Sequence, residues 1–221
     1  MQVIKHLAVA FSVAACAMTA QATVVTSGTW SGSTIGPFAE TDTATYGQTF
    51  TAAGNYLNSY TMYLSSGSGT TSFKSYIYAW DGLKIVGSAL YSSAVQEFSG
   101  AASSPYAFTF DTGALSLTSG TQYVAFFSTS DVDGGDDGRA SMPTTAGGNS
   151  YDGGRFVFFN NGNDFSRLAS STWETWAGDF DVLFSATFSD TASNNAIPEP
   201  GSLALLGLGL AGLAAVRKRK A

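Results

Sequence analysis

Four carboxylates crowd the run Asp131-Val132-Asp133-Gly134-Gly135-Asp136-Asp137-Gly138. Acidic side chains in a glycine-rich loop, with backbone carbonyls to complete the shell, supply the oxygens that a hard cation such as Ca²⁺ requires. The spacing departs from a helix-flanked calcium loop, because Gly135 stands where an acidic or amide oxygen is wanted and no glutamate closes the loop. Asp131, Asp133, Asp136 and Asp137 therefore read either as a calcium site, with Asp152 as a further ligand if the loop folds back, or as a solvated acidic turn. A second cluster, Trp173-Glu174-Thr175-Trp176, sets two indoles three residues apart. With Tyr151, and with Trp30 or Trp80, they offer flat apolar faces on which sugar rings stack. Packing is the competing reading, since a β-protein also needs large core residues and this pair leads into the strongest strand pattern of the chain.

Hydrolysis of a glycosidic bond needs two carboxylates facing each other across it. The only glutamates before the C-terminal tail are Glu40, Glu97 and Glu174, and none sits in an acidic cluster. Asp81, Asp111 and Asp181 read as turn residues or solvent-facing strand positions. The sole cysteine, Cys16, and the sole histidine, His6, both fall in the first 22 residues. If that segment is removed, the rest of the chain has no Ser-His-Asp or Cys-His catalysis, no disulfide and no His or Cys ligand for zinc, copper or iron. The expectation is a domain that is not an enzyme, with a secreted carboxylate-dependent glycan hydrolase or lyase as the alternative.

Charge narrows the partners. Fifteen acids and five bases lie between residues 23 and 196, a balance near −10 that repels phosphate backbones, so nucleic-acid binding is disfavoured. The same stretch is long enough for one domain with its own core.

Those side chains need elements to hold them, and the pattern is that of strands. Phe180, Val182, Phe184, Ala186 and Phe188 alternate along one face. Similar runs cover residues 58–64, 72–80, 106–110, 123–128 and 156–159, separated by Gly/Asn/Asp clusters such as Ala53-Gly54-Asn55, Asp81-Gly82 and Asn160-Asn161-Gly162-Asn163. Nothing comparable repeats at helical spacing. The expected fold class is all-β, an antiparallel β-sandwich. The aromatic and glycine spacing of residues 46–50, 57–64, 76–81, 87–91, 120–127 and 151–158 resembles jelly-roll sandwich domains, which implies two sheets with function in end loops or on one face. Residues 130–154 are expected to be a long irregular, functional loop.

The two ends carry addresses. Lys5, an apolar stretch over residues 7–18 and the small-x-small pattern Ala20-Gln21-Ala22 form a signal peptide over residues 1–22, with signal peptidase as the first partner. Cys16 lacks the upstream leucine of a lipoprotein signal. At the other end stand Pro198-Glu199-Pro200, an apolar run over residues 203–216 and the cluster Arg217-Lys218-Arg219-Lys220. Fourteen residues of helix span roughly 21 Å, short of a hydrocarbon core of about 30 Å, so snorkelling basic side chains must help the segment cross. Those four cations stay on the cytoplasmic side and leave the Pro-Glu-Pro tripeptide outside, held extended by its prolines.

This order of parts resembles the PEP-CTERM sorting signal, over residues 197–221. The resemblance implies a transmembrane helix held transiently in the inner membrane, processing by an exosortase-like membrane enzyme, and a cell-surface or extracellular destination in a Gram-negative bacterium, often one that makes exopolysaccharide. The passenger domain, residues 23–196, is then expected to be a non-catalytic surface or matrix component in contact with exopolysaccharide.

Overall fold

Alternating apolar residues pair into sheets only where each strand finds a neighbour, and here six of the twelve strands find two or more. The computed structural model describes residues 22–40, 42–100, 103–132, 138–176 and 179–192. Their elements are β1 (Thr23–Thr26), β2 (Trp30–Phe38), β3 (Thr45–Thr51), β4 (Tyr56–Ser68), β5 (Thr70–Trp80), β6 (Ile85–Ser92), β7 (Gln96–Ser99), β8 (Tyr106–Ser116), β9 (Gln122–Ser128), β10 (Arg139–Thr145), β11 (Phe156–Phe159), one helical turn α1 (Arg167–Ser170) and β12 (Phe184–Ser189). They form two six-stranded antiparallel sheets.

The first sheet is built on β4. One edge of β4 pairs with β8, while the other takes β12 opposite residues 56–62 and then β10 opposite Ser65 and Ser68. β1 lies outside β12 and β2 outside β10. The second sheet runs β11-β3-β9-β5, with β6 and β7 sharing the far edge of β5. β3 and β4 pass from one sheet to the other, and β8 and β9 run back beside them, β8 on β4 and β9 on β3. That doubled crossing is the arrangement of a jelly roll.

Between the sheets, rings fill the gap. Phe73 meets Phe108 at 5.0 Å, Phe50 stacks on Phe184 at 5.3 Å, and Phe73 and Phe127 lie 4.4 Å apart. Such pairs add about 0.5–1.5 kcal/mol each beyond the area they bury.

The second sheet is covered on its outer face as well. Val124 and Phe126 of β9, Tyr76 and Tyr78 of β5, and Val157 and Phe159 of β11 pack under Leu168 and Trp173, with Phe165 and Trp80 alongside. Strands buried on both faces lose their alternation, which is why residues 123–128 and 156–159 read as continuous apolar runs. The covering segment is tied down by polar contacts. Asn161 accepts from Thr45 Oγ1 (2.9 Å) and donates to Ser130 Oγ (2.8 Å) and to the Asp164 carbonyl (3.2 Å).

Two expectations are corrected. Residues 130–154 contain β10, whose Ala140 and Met142 point into the core. Pro143 and the register shifts on either side of it hide the strand from a period-two reading. Asp181 is fully buried and does not face solvent. Its carboxylate accepts from Gln48 Nε2 (2.7 Å) and from the amides of Ser150 (2.8 Å) and Tyr151 (2.9 Å). Upstream of Phe184 the backbone is satisfied outside the β12 ladder, with Val182 N–H donating to Gln48 Oε1 at 3.1 Å and Leu183 N–H to the Pro143 carbonyl at 2.8 Å, so β12 starts later than the alternation suggests.

β1 begins at Thr23, the residue after the expected cleavage site, and pairs antiparallel with β12, Thr23 opposite Phe188. Both chain ends of the domain therefore leave the same pole. Among the described residues no helix is long and apolar enough to cross a membrane.

Candidate functional site

β2 and β10 hold each other through a broken register, with shifts between Ala140 and Met142 and again between Pro143 and Thr145. Gly36 lets the strands approach, since a Cβ there would lie 2.5 Å from Ser141 Oγ. Where β10 leaves β4, Thr144 makes an isolated bridge to Val182. An open groove of about 340 Å³ forms at this corner. β2 lends it Thr34, Ile35 and Gly36, and β10 lends Thr144 and Thr145. Gly148, Trp176 and Phe180 complete it.

The aromatic side is supported from beneath. Phe180 stacks on Phe156 at 5.3 Å, Phe156 on Phe158 at 5.8 Å, and Trp176 leans on Phe158 at 6.1 Å. Trp176 nevertheless keeps 52% of its surface exposed. The hydroxyl side is fixed by hydrogen bonds. Thr144 Oγ1 meets Ser31 Oγ at 2.9 Å, and Thr145 Oγ1 donates to the Gly148 carbonyl at 2.8 Å. Trp30, opposite Thr145 in the ladder, donates its indole N–H to the Ser33 carbonyl at 2.9 Å and leaves its ring partly exposed.

Asp181 lies behind this wall. Burial pushes its carboxyl above the usual aspartate value, Gln48 and the two loop amides pull it back, and the charge of Asp152 raises it further. A supported indole, fixed hydroxyls and a lining without formal charge can hold a polar ligand that has apolar faces.

The structure separates the residues expected to contact glycan. Trp173 is 4% exposed, with its N–H bonded to the Leu168 carbonyl at 2.8 Å and its ring edge-on to Trp80 and Phe126, so it is core and offers no face to a ligand. Tyr151 is half-buried, its hydroxyl accepting from the Thr51 amide at 3.1 Å and donating back to the Thr51 carbonyl at 3.4 Å. Of the three, only Trp176 lines the groove. The groove's partners from β2 and β10 carried no signal in the sequence, because Thr, Ile and Gly there have no distinctive spacing.

Of the calcium candidates, Asp131 receives the Tyr76 hydroxyl at 3.1 Å and faces Lys74 at 3.5 Å, while Asp133, Asp136 and Asp137 lie outside the described residues. Among the described residues no three His, Cys, Asp or Glu side chains cluster as metal ligands. Ala22 immediately precedes β1. Ala20, Pro198, Glu199, Pro200, Arg217, Lys218, Arg219, Lys220 and the expected transmembrane span lie outside the described residues.

The PEP-CTERM protein-sorting motif matches residues 196–220. The motif marks an exported protein with a C-terminal membrane-anchoring signal, processed by exosortase, a membrane enzyme. No curated protein and no solved structure matches the chain.

Proposed function

We propose that this is a non-catalytic sandwich of the cell surface or extracellular matrix of a Gram-negative bacterium, which associates with exopolysaccharide through the groove at Trp176. The observation that carries the reading is the supported, half-exposed indole of Trp176 beside fixed threonine hydroxyls, in a chain whose other large rings are mostly committed to packing. The reading that it does not turn its ligand over is supported by the lining itself, which contains no carboxylate. Sorting delivers the domain to the compartment in which such polymers occur.

The test is retardation of the secreted, processed protein in native gels containing exopolysaccharide, with reducing-sugar release followed in parallel. Retardation without sugar release is expected, and Trp176→Ala should weaken it roughly tenfold or more. Because the indole rests on Phe158, the urea midpoint of Trp176→Ala is measured alongside, to separate lost binding from lost stability. Release of sugar ends that disappears on changing a carboxylate would replace the reading with a hydrolase or lyase.

A further inference from the structure

We propose that the groove selects uncharged polysaccharide, an inference that rests on the glycan-binding reading above. The selection follows from which charges surround the groove and which of them are free. Arg155 is the cation nearest in sequence to the aromatic wall through β11, and its guanidinium is 3.1 Å from Asp179, the residue before Phe180. Arg139, at the start of β10, is 3.2 Å from Glu40. Each faces a carboxylate in an exposed ion pair, and neither lines the groove to meet a uronate, sulfate or phosphate. Glu174 is exposed two residues from Trp176, and the buried carboxylate of Asp181 follows Phe180 directly. An anionic sugar would find no cation in the lining to offset the cost of leaving water.

A cationic sugar finds no partner in the lining itself. Asp181 spends its oxygens on Gln48, Ser150 and Tyr151, and no carboxylate lines the groove. What remains for recognition is an indole face, the apolar edges of Ile35 and Phe180, and threonine hydroxyls, the complement of a neutral pyranose with its apolar faces and ring of hydroxyls.

The test uses the secreted, processed protein in native gels cast with neutral polymers (β-glucan, α-glucan, galactan and mannan) and with uronates (alginate and polygalacturonate), each at low and high salt. Retardation by at least one neutral polymer, unaltered by salt, with none by the uronates, is expected. Trp176→Ala should abolish it. Thr34→Lys, which places a cation on the exposed lip of the groove, should add a salt-sensitive retardation by the uronates. Retardation of the unmodified protein by uronates but by no neutral polymer overturns the inference and keeps the glycan reading. So does a Thr34→Lys protein no better held by uronates, because it moves the site elsewhere. Mobility unchanged by every polymer overturns the glycan reading itself.

Discussion

A carboxylate sealed between two sheets is costly unless its oxygens are satisfied, and Asp181 meets that demand with amide donors and no cation. Its partners come from β3 and from the loop after β10, so one side chain joins three separate stretches of chain. Asp181→Ala strands those donors and should lower the unfolding free energy by about 3 kcal/mol, read from urea denaturation. The pH dependence has a definite sign. Because burial raises the folded pKa above the ordinary 3.8, the folded state binds the proton more readily between the two values. The group's contribution to stability is complete below about 3.8 and is lost as pH rises through the folded value. Asparagine does not titrate, so the urea midpoint of the unmodified protein relative to Asp181→Asn should improve as pH falls through that window. A difference independent of pH would mean that the carboxyl titrates normally.

The segment over residues 160–176 behaves as a third layer although it contains only one turn of helix. Its hold on the second sheet comes from Leu168 and Trp173 pressing on Phe126, Tyr76 and Phe159, with Asn161 as its polar anchor. Trp173→Ala should cost about 3–5 kcal/mol. It should also raise amide exchange over this segment before the inter-sheet core opens, which hydrogen exchange would resolve. Strands with one wet face were legible from alternation, as in β4, β8 and β12. β10 was not, because a proline and two register shifts break its period. The cover was illegible for a different reason. Trp173 and Trp176 are three residues apart in a segment without regular structure, so no periodicity says that one faces in and the other out.

For the whole molecule, the address was the most legible feature, since a sorting signal is a linear pattern read in order. The groove was the least legible, because residues 34–36, 144, 145, 148, 176 and 180 meet only after both sheets have formed. Changing Glu199→Ala should leave export and membrane insertion intact but stop C-terminal processing. A longer species should then accumulate in the membrane fraction, and immunoblotting of cell fractions would show it. Normal maturation of that variant would remove the tripeptide from the recognition event.

The pairing of β1, β12 and β4 has a mechanical consequence. The tail follows β12, and β12 is laddered to β4 along six register positions and to β1 along four. Tension on an anchored tail pulls β12 along its own axis, against antiparallel hydrogen bonds that lie across the direction of pull. Those bonds are loaded in shear, together, and none can fail far ahead of the others. Had the tail followed a strand pulled sideways from the sheet edge, the same force would open the ladder one bond at a time, as a zipper does. Drag on the domain while it is tethered is therefore borne by the part of the fold best placed to resist it.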